Sequence, residues 1–166
     1  EKYKKIENQT VLDLGCGKNN SLSISSAFIL NGAKKAYAVE SDFSYNNNKI
    51  NDEAIATALY EMFLDCYAFP YEWIKDGMYK NFTNSLKEID IRALSNGDWE
   101  KGAKQLNIRL VDNGLENAKI PKGSIDILVS HVVLEHIINF EEEINRIYDL
   151  MNNNSLMVHS VAFWDM

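Results

Sequence analysis

Asp13, Gly15 and Gly17 stand within the run Val11-Leu12-Asp13-Leu14-Gly15-Cys16-Gly17, and Glu40 follows Gly17 by 23 residues. Glycines that close an apolar run let a ligand lie against the backbone, because no Cβ stands in the way. An acid at the end of the next strand is placed to accept hydrogen bonds from ribose hydroxyls. In a strand–turn–helix–strand context the two features point to a nucleoside site built from Asp13, Gly15, Cys16, Gly17, Glu40 and the adjoining Ser41. His131, His136 and His159 are the three histidines, the side-chain type whose ordinary pKa suits proton transfer near neutrality.

The elements that must position these residues can be read from periodicity. Thr10 to Leu14 is a short apolar run ended by glycine, the pattern of a buried parallel strand. Asn19, Asn20 and Ser21 are placed to cap a helix over 22–30, which Asn31-Gly32 ends. Ala36 to Val39 is the second strand, completing a βαβ unit of about thirty residues. Further on, 108–112 and 125–130 read as strands, with Pro121-Lys122-Gly123-Ser124 as a turn between them. A helix over 140–151 should turn Ile144, Ile147, Tyr148 and Met151 inward, with Glu141 to Glu143 at its favourable N-terminal end. Asn152-Asn153-Asn154 then reads as a turn into a fifth strand over 156–161. This alternation predicts an α/β fold with a doubly wound, mostly parallel sheet.

Charge narrows the nucleoside ligand. A dinucleotide fingerprint aligned on Gly15 and Gly17 wants a small residue at position 20, where Asn20 stands, and Asp13 would repel a pyrophosphate. S-adenosylmethionine (SAM) carries an ammonium group, a sulfonium and no phosphate, so two carboxylates suit it better than they suit NAD.

Asp13-x-Gly15-x-Gly17, Glu40, Asp112 and the stretch Ile125-Asp126-Ile127-Leu128-Val129-Ser130-His131-Val132-Val133-Leu134-Glu135-His136 resemble class I SAM-dependent methyltransferases, closest to the type 11-like group. The resemblance implies that the Asp13 to Gly17 turn faces the methionine part of the cofactor and that Glu40 holds the ribose. It also implies that Asp112 and Asn113 lie by the adenine and that Ser130 and His131 line the floor near the sulfonium. Asn19 departs from the family pattern, which often has a small residue there. The family sheet continues past the fifth strand into an antiparallel pair, so a chain ending at Met166 is expected to hold a truncated core.

Methyl transfer to oxygen asks for a base, and His131 and His159 are the catalytic candidates. A structural histidine with its bonds satisfied is the alternative for each, and His136 is expected to be structural. Helix capping is the expected role of Glu135. Asp165, beside Trp164, is a substrate-contact candidate, with an exposed tail as the preferred account. The acceptor expected is a small molecule or glycan precursor bearing oxygen. A non-catalytic SAM-binding module and an NAD-dependent oxidoreductase are the competing readings.

About 65 residues separate the second and third strands, far more than one crossover helix requires. The stretch 43–106 reads as a helical insertion with a helix over 52–67 that turns Ile55, Leu59, Met62 and Phe63 to one side. Its many rings (Tyr60, Phe63, Tyr67, Phe69, Tyr71, Trp73, Tyr79, Phe82, Trp99) offer either an aromatic lid over the acceptor or a core of their own, and the core is preferred for most of them. A lid is nevertheless expected of the insertion itself, because it begins directly after the ribose acid.

Composition closes several other doors. The formal charge of −7 disfavours nucleic acid and anionic lipid as partners. No apolar run reaches the ~18 residues of a membrane span. Only Cys16 and Cys66 occur, without zinc-ligand or redox spacing, so neither a metal site nor a disulfide framework is expected and a reducing cytoplasm is the expected setting. No secretory leader pattern opens the chain, and its start at Glu1 leads us to expect an upstream N-terminus.

Overall fold

The structure is a computed structural model that describes residues 5–17, 22–41, 52–73, 79–111 and 114–162. Five strands, β1 (Thr10–Leu14), β2 (Lys35–Val39), β3 (Ile108–Val111), β4 (Ile125–His131) and β5 (Met151–Ser160), form one sheet in the order β3-β2-β1-β4-β5. Every pairing is parallel. From the central β1 the chain winds outward to β2 and β3, then returns to the other side for β4 and β5. That reversal opens a crevice at the carboxyl ends of β1 and β4, the place where open α/β sheets bind ligands.

Alternation along each strand divides the core into two. Val11, Ala36, Ala38 and Ile127 face one side, and Leu12, Tyr37, Val39 and Leu128 the other. The first side is covered by α1 (Ser23–Leu30), through Ile29 and Leu30, and by the helices that follow β2. These are α2 (Asp52–Ala68), α3 (Pro70–Trp73), α4 (Tyr79–Lys87), α5 (Ile91–Ser95) and α6 (Trp99–Gly102). The second side is covered by α7 (Phe140–Leu150) and the 3-10 turn Leu115–Asn117, which supply Ile147, Leu150 and Leu115.

The described part of the insertion is helical, and it supplies more than half of the buried residues on the α1 side of the sheet. Ile55, Leu59, Phe63, Cys66, Phe82 and Leu86 join the cluster on the α1 side of the sheet. Tyr60 and Trp99 pack against it, and the Trp99 indole N–H donates to Asp52 Oδ1 at 2.9 Å. The short helices are set by carboxylate caps: Asp90 accepts the Ala93 N–H at 3.0 Å and Asp98 that of Lys101 at 2.9 Å.

Two local expectations are corrected. Asn152 to Asn154 lie within β5, where the register jumps from Ile125–Met151 to Ile127–Leu156. Side chains replace the missing ladder there: Asn152 Nδ2 donates to Asp126 Oδ1, and Asn152 Oδ1 accepts the Asn154 N–H at 2.8 Å. On α7, Tyr148 is 75% exposed while Leu150 is buried, because the helix is rolled about Ile147. The stripe is therefore Ile144, Ile147, Leu150 and Met151. The capping expected of Asn19 to Ser21 lies outside the described residues.

No helix among the described residues is long and apolar enough to cross a membrane. Nor do the described residues bring three or more His, Cys, Asp or Glu side chains together in a metal-holding group.

Candidate active site

β1 runs directly into the glycine turn. Gly15 and Gly17 have φ of +70° and +80°, a region that suits glycine. The Gly15 and Cys16 N–H groups both donate to the Val39 carbonyl, at 2.8 and 3.1 Å, which fixes the turn to the end of β2. Among the described residues, a Cβ at Gly17 would meet no atom within 4 Å beyond its chain neighbours, which leaves an open approach to the backbone.

Glu40 is held from several sides. Its N–H donates to the Val111 carbonyl at 3.0 Å, and its own carbonyl accepts the Gly114 N–H at 2.9 Å. On the carboxylate, Oε2 accepts the Gly17 N–H at 2.9 Å and Oε1 accepts the Ser41 N–H at 2.9 Å. Oε1 also accepts the Ser41 hydroxyl at 3.3 Å, so of the two lone pairs on each oxygen the one left for a ligand hydroxyl is on Oε2.

These groups border a cavity of about 850 Å³ at the carboxyl ends of the strands. Leu14, Val39, Leu115, Val133 and Ile137 make its apolar wall. Among the described residues its carboxylates are Glu40, Glu116, Glu142 and Glu143, and its guanidinium is Arg146. Arg146 pairs with Glu116 at 3.2 Å, Glu142 at 2.5 Å and Glu143 at 3.5 Å, tying α7 to the turn after β3. His131 and His136 also border the cavity. An excess of carboxylates with the one guanidinium already engaged favours a cationic ligand and disfavours a pyrophosphate.

Asp13 lies beneath the turn rather than on the cavity wall. Alternation turns it, like Val11, toward α1, where it is 2% exposed. The Ser25 hydroxyl donates to Asp13 Oδ2 at 3.2 Å. Burial pushes the Asp13 carboxyl up to about 7, the Ser25 hydrogen bonds oppose the rise, and Glu40 adds to it. Cys16, half-buried in the turn, has its thiol pushed far above the ordinary range by burial and by Asp13 and Glu40. It is no thiolate nucleophile.

The two expected bases part company. His131 is exposed on the cavity, whereas His159 is half-buried, does not border it and has Nδ1 2.7 Å from Ser130 Oγ. Ser130 and His159 are register partners in β4 and β5, and burial holds the imidazole below the usual histidine range. Glu135 accepts the Ala162 N–H at 3.0 Å, so it anchors the chain leaving β5 rather than capping a helix. His136, expected to be structural, borders the cavity. Asp112, Asn113 and Asp165 lie outside the described residues, as do the side chains of Tyr71, Trp73 and Tyr79. None of the described insertion residues borders the cavity.

Sequence reasoning passed over Val132, Val133, Glu116, Glu142, Glu143 and Arg146 as cavity residues. Val132 and Val133 were within the quoted motif. Their direction depends on the backbone, where Val132 has φ of +55°, and no side-chain pattern signals that.

A parallel sheet whose switch-point crevice carries a glycine turn, a strand-end carboxylate and acidic walls defines a Rossmann-like domain for a nucleoside ligand without phosphates. The chain belongs to the methyltransferase domain family, whose model matches residues 2–165. Comparison with curated protein sequences finds no match. Among solved structures, a protein assigned as an S-adenosylmethionine-dependent methyltransferase from Listeria monocytogenes aligns with 13% identity and a TM-score of 0.50. The alignment covers 96% of this chain and 50% of that one, so the chain spans half the length of the structure it matches. An S-adenosylmethionine-dependent methyltransferase from Mesorhizobium loti aligns at 10% identity, 90% and 44% coverage and a TM-score of 0.46. An arsenic(III) S-adenosylmethionine methyltransferase from Chlamydomonas reinhardtii aligns at 13% identity, 92% and 38% coverage and a TM-score of 0.49. At 13% identity the likeness to the Listeria monocytogenes structure concerns the fold alone.

Proposed function

We propose that this domain binds SAM and transfers its methyl group to an oxygen of a small-molecule or glycan-precursor acceptor. The observation that carries the reading is the Glu40 carboxylate, fixed by the Gly17 and Ser41 N–H groups at the edge of an acidic cavity. The open approach at Gly17 fits a ligand lying on the backbone, and the excess of carboxylates fits a sulfonium. When bound, SAM supplies an electrophilic methyl carbon for in-line displacement by a lone pair of the acceptor.

The protein's own contribution is binding, alignment and proton removal. Glu40 accepts from the ribose hydroxyls and fixes the nucleoside along the strand ends. Gly15 and Gly17 receive the aminoacyl end, with Asp13 supplying negative charge from below. Leu14, Val39, Leu115 and Val133 exclude water, so that orientation lowers the barrier. A ring nitrogen of His131 takes the acceptor's proton at the cavity, while His159 with Ser130 is the alternative base.

Acidic walls support a small neutral or cationic acceptor over nucleic acid. The unpaired thiols of Cys16 and Cys66 support a reducing, cytoplasmic setting. Calorimetry should show S-adenosylhomocysteine binding and no competition from NAD. A tritiated-methyl assay over hydroxyl-bearing acceptors should then show transfer. Absence of S-adenosylhomocysteine binding refutes the reading, and binding without transfer to any acceptor leaves a cofactor-binding module in its place.

A further inference from the structure

β4 ends at His131, and the next residue breaks the strand in an uncommon way. Val132 has φ of +55°, left-handed backbone that β-branched side chains rarely adopt. The other described non-glycine residues in that region are Asn8 and Lys119, neither of them β-branched. Strained backbone of this kind persists only where its surroundings over-determine it, and it gathers at ligand sites.

The surroundings here belong to the end of β5. The Val132 N–H donates to the Ser160 carbonyl at 2.7 Å, continuing the ladder one step past the His131–Ser160 pair. The His136 N–H closes on the Val133 carbonyl at 2.9 Å, and Glu135 accepts the Ala162 N–H at 3.0 Å. Both flanks of Val132 are thus fastened. The result is a contact across the cavity: Val133 Cγ2 lies 2.2 Å from where a Gly15 Cβ would be. Val133 is seated directly on the glycine turn, and the cavity wall at that end is set by this seat.

We propose that Val132 is a positioning residue, whose left-handed backbone seats Val133 on Gly15 and thereby shapes the part of the cavity that receives the aminoacyl end of the donor. The inference rests on the SAM reading above and adds a selectivity determinant to it. The determinant acts on one end of the ligand, so two probes separate it from a general effect on folding. S-adenosylhomocysteine carries the aminoacyl tail, and 5′-methylthioadenosine keeps the adenosine and lacks the tail.

Calorimetric affinities of both probes should be measured for wild type, Val132→Pro, Val132→Gly, Val132→Asn and Val133→Ala, alongside thermal melting. Val132→Pro fixes φ at about −65° and removes the N–H that Ser160 accepts, so it breaks the elbow, and Val133→Ala removes the seated side chain. Each is expected to weaken S-adenosylhomocysteine about tenfold while 5′-methylthioadenosine stays within about twofold. Glycine and asparagine both adopt left-handed backbone, so Val132→Gly and Val132→Asn should keep the wild-type ratio of the two affinities. Val132→Gly should melt no lower than wild type, because it relieves the strain. An unchanged ratio in Val133→Ala overturns the proposal, as does an equal loss of both probes or a changed ratio in Val132→Gly. If wild type binds neither probe, the SAM reading itself fails, an outcome distinct from an unchanged ratio.

Discussion

Glu40 Oε2 accepts the Gly17 N–H at 2.9 Å across a separation of 23 residues. This bond closes the first βα turn onto the end of β2. With Ser41 on the other oxygen, it orients the carboxylate without help from a ligand. The residue assigned to ribose recognition is therefore also a structural clasp of the glycine turn.

Glu40→Gln should separate those two roles. The amide offers one acceptor oxygen, so one of the Gly17 and Ser41 N–H groups would face an NH2 donor. Loss of a hydrogen bond to a charged acceptor costs about 1.5–3 kcal/mol. S-adenosylhomocysteine affinity measured by calorimetry should fall about 10- to 100-fold. An unaltered affinity in a folded variant would remove Glu40 from the binding site.

Asp13 makes a pH signature. Burial holds its carboxyl at about 7 in the folded protein, against about 3.9 in an unfolded chain. Between those values the folded state keeps a proton that the unfolded state has lost. Asp13 therefore adds stability below the unfolded value, and that stability is lost as pH rises to 7. Asp13→Asn should abolish this component, seen as a smaller loss of melting temperature from pH 4 to 7 than in wild type. Binding of a cation near Asp13 should also release protons around pH 7. Calorimetry in buffers of different ionisation enthalpy reads that release, and its absence would place the ligand's positive charge elsewhere.

His159 titrates with the opposite effect. Burial lowers its folded pKa below the ordinary 6.5, so its contribution is present above 6.5 and lost as pH falls through the folded value. His159→Gln should flatten the acid side of the stability profile, and Asp13→Asn the decline toward neutrality. His131→Gln is expected to lower turnover about 100-fold or more with S-adenosylhomocysteine affinity unchanged, as loss of a general base requires. If His159→Gln gives that kinetic result and His131→Gln does not, the base is His159.

Gly15→Ala should be among the most damaging single-methyl additions to the chain. It places a Cβ against Val133 and an L side chain at φ +70°. The two effects together cost about 2–4 kcal/mol. Val133→Ala in the same chain removes the collision and leaves the backbone penalty. Denaturant melts of the single and double variants should therefore show a favourable coupling of about 1–2 kcal/mol. Simple additivity would mean that the two residues do not touch.

By itself the sequence determined the strands, the parallel α/β plan, the glycine turn and the strand-end acid. Each of these is written in a few adjacent residues: alternation, glycine at left-handed positions, an acid after an apolar run. Tertiary structure alone decided that Asp13 lies under the turn against Ser25, that the described insertion helices fill the α1 side of the core, and that Arg146 gathers three glutamates beside the cavity. It also decided which histidines meet the cavity. Beyond the last strand residue a side chain's direction follows the sign of φ, and at Val132 that sign is held by the hydrogen bond its N–H donates to the Ser160 carbonyl, far away in the chain. Local sequence fixes what a segment prefers, whereas a strained turn held by distant partners is decided only when those partners meet.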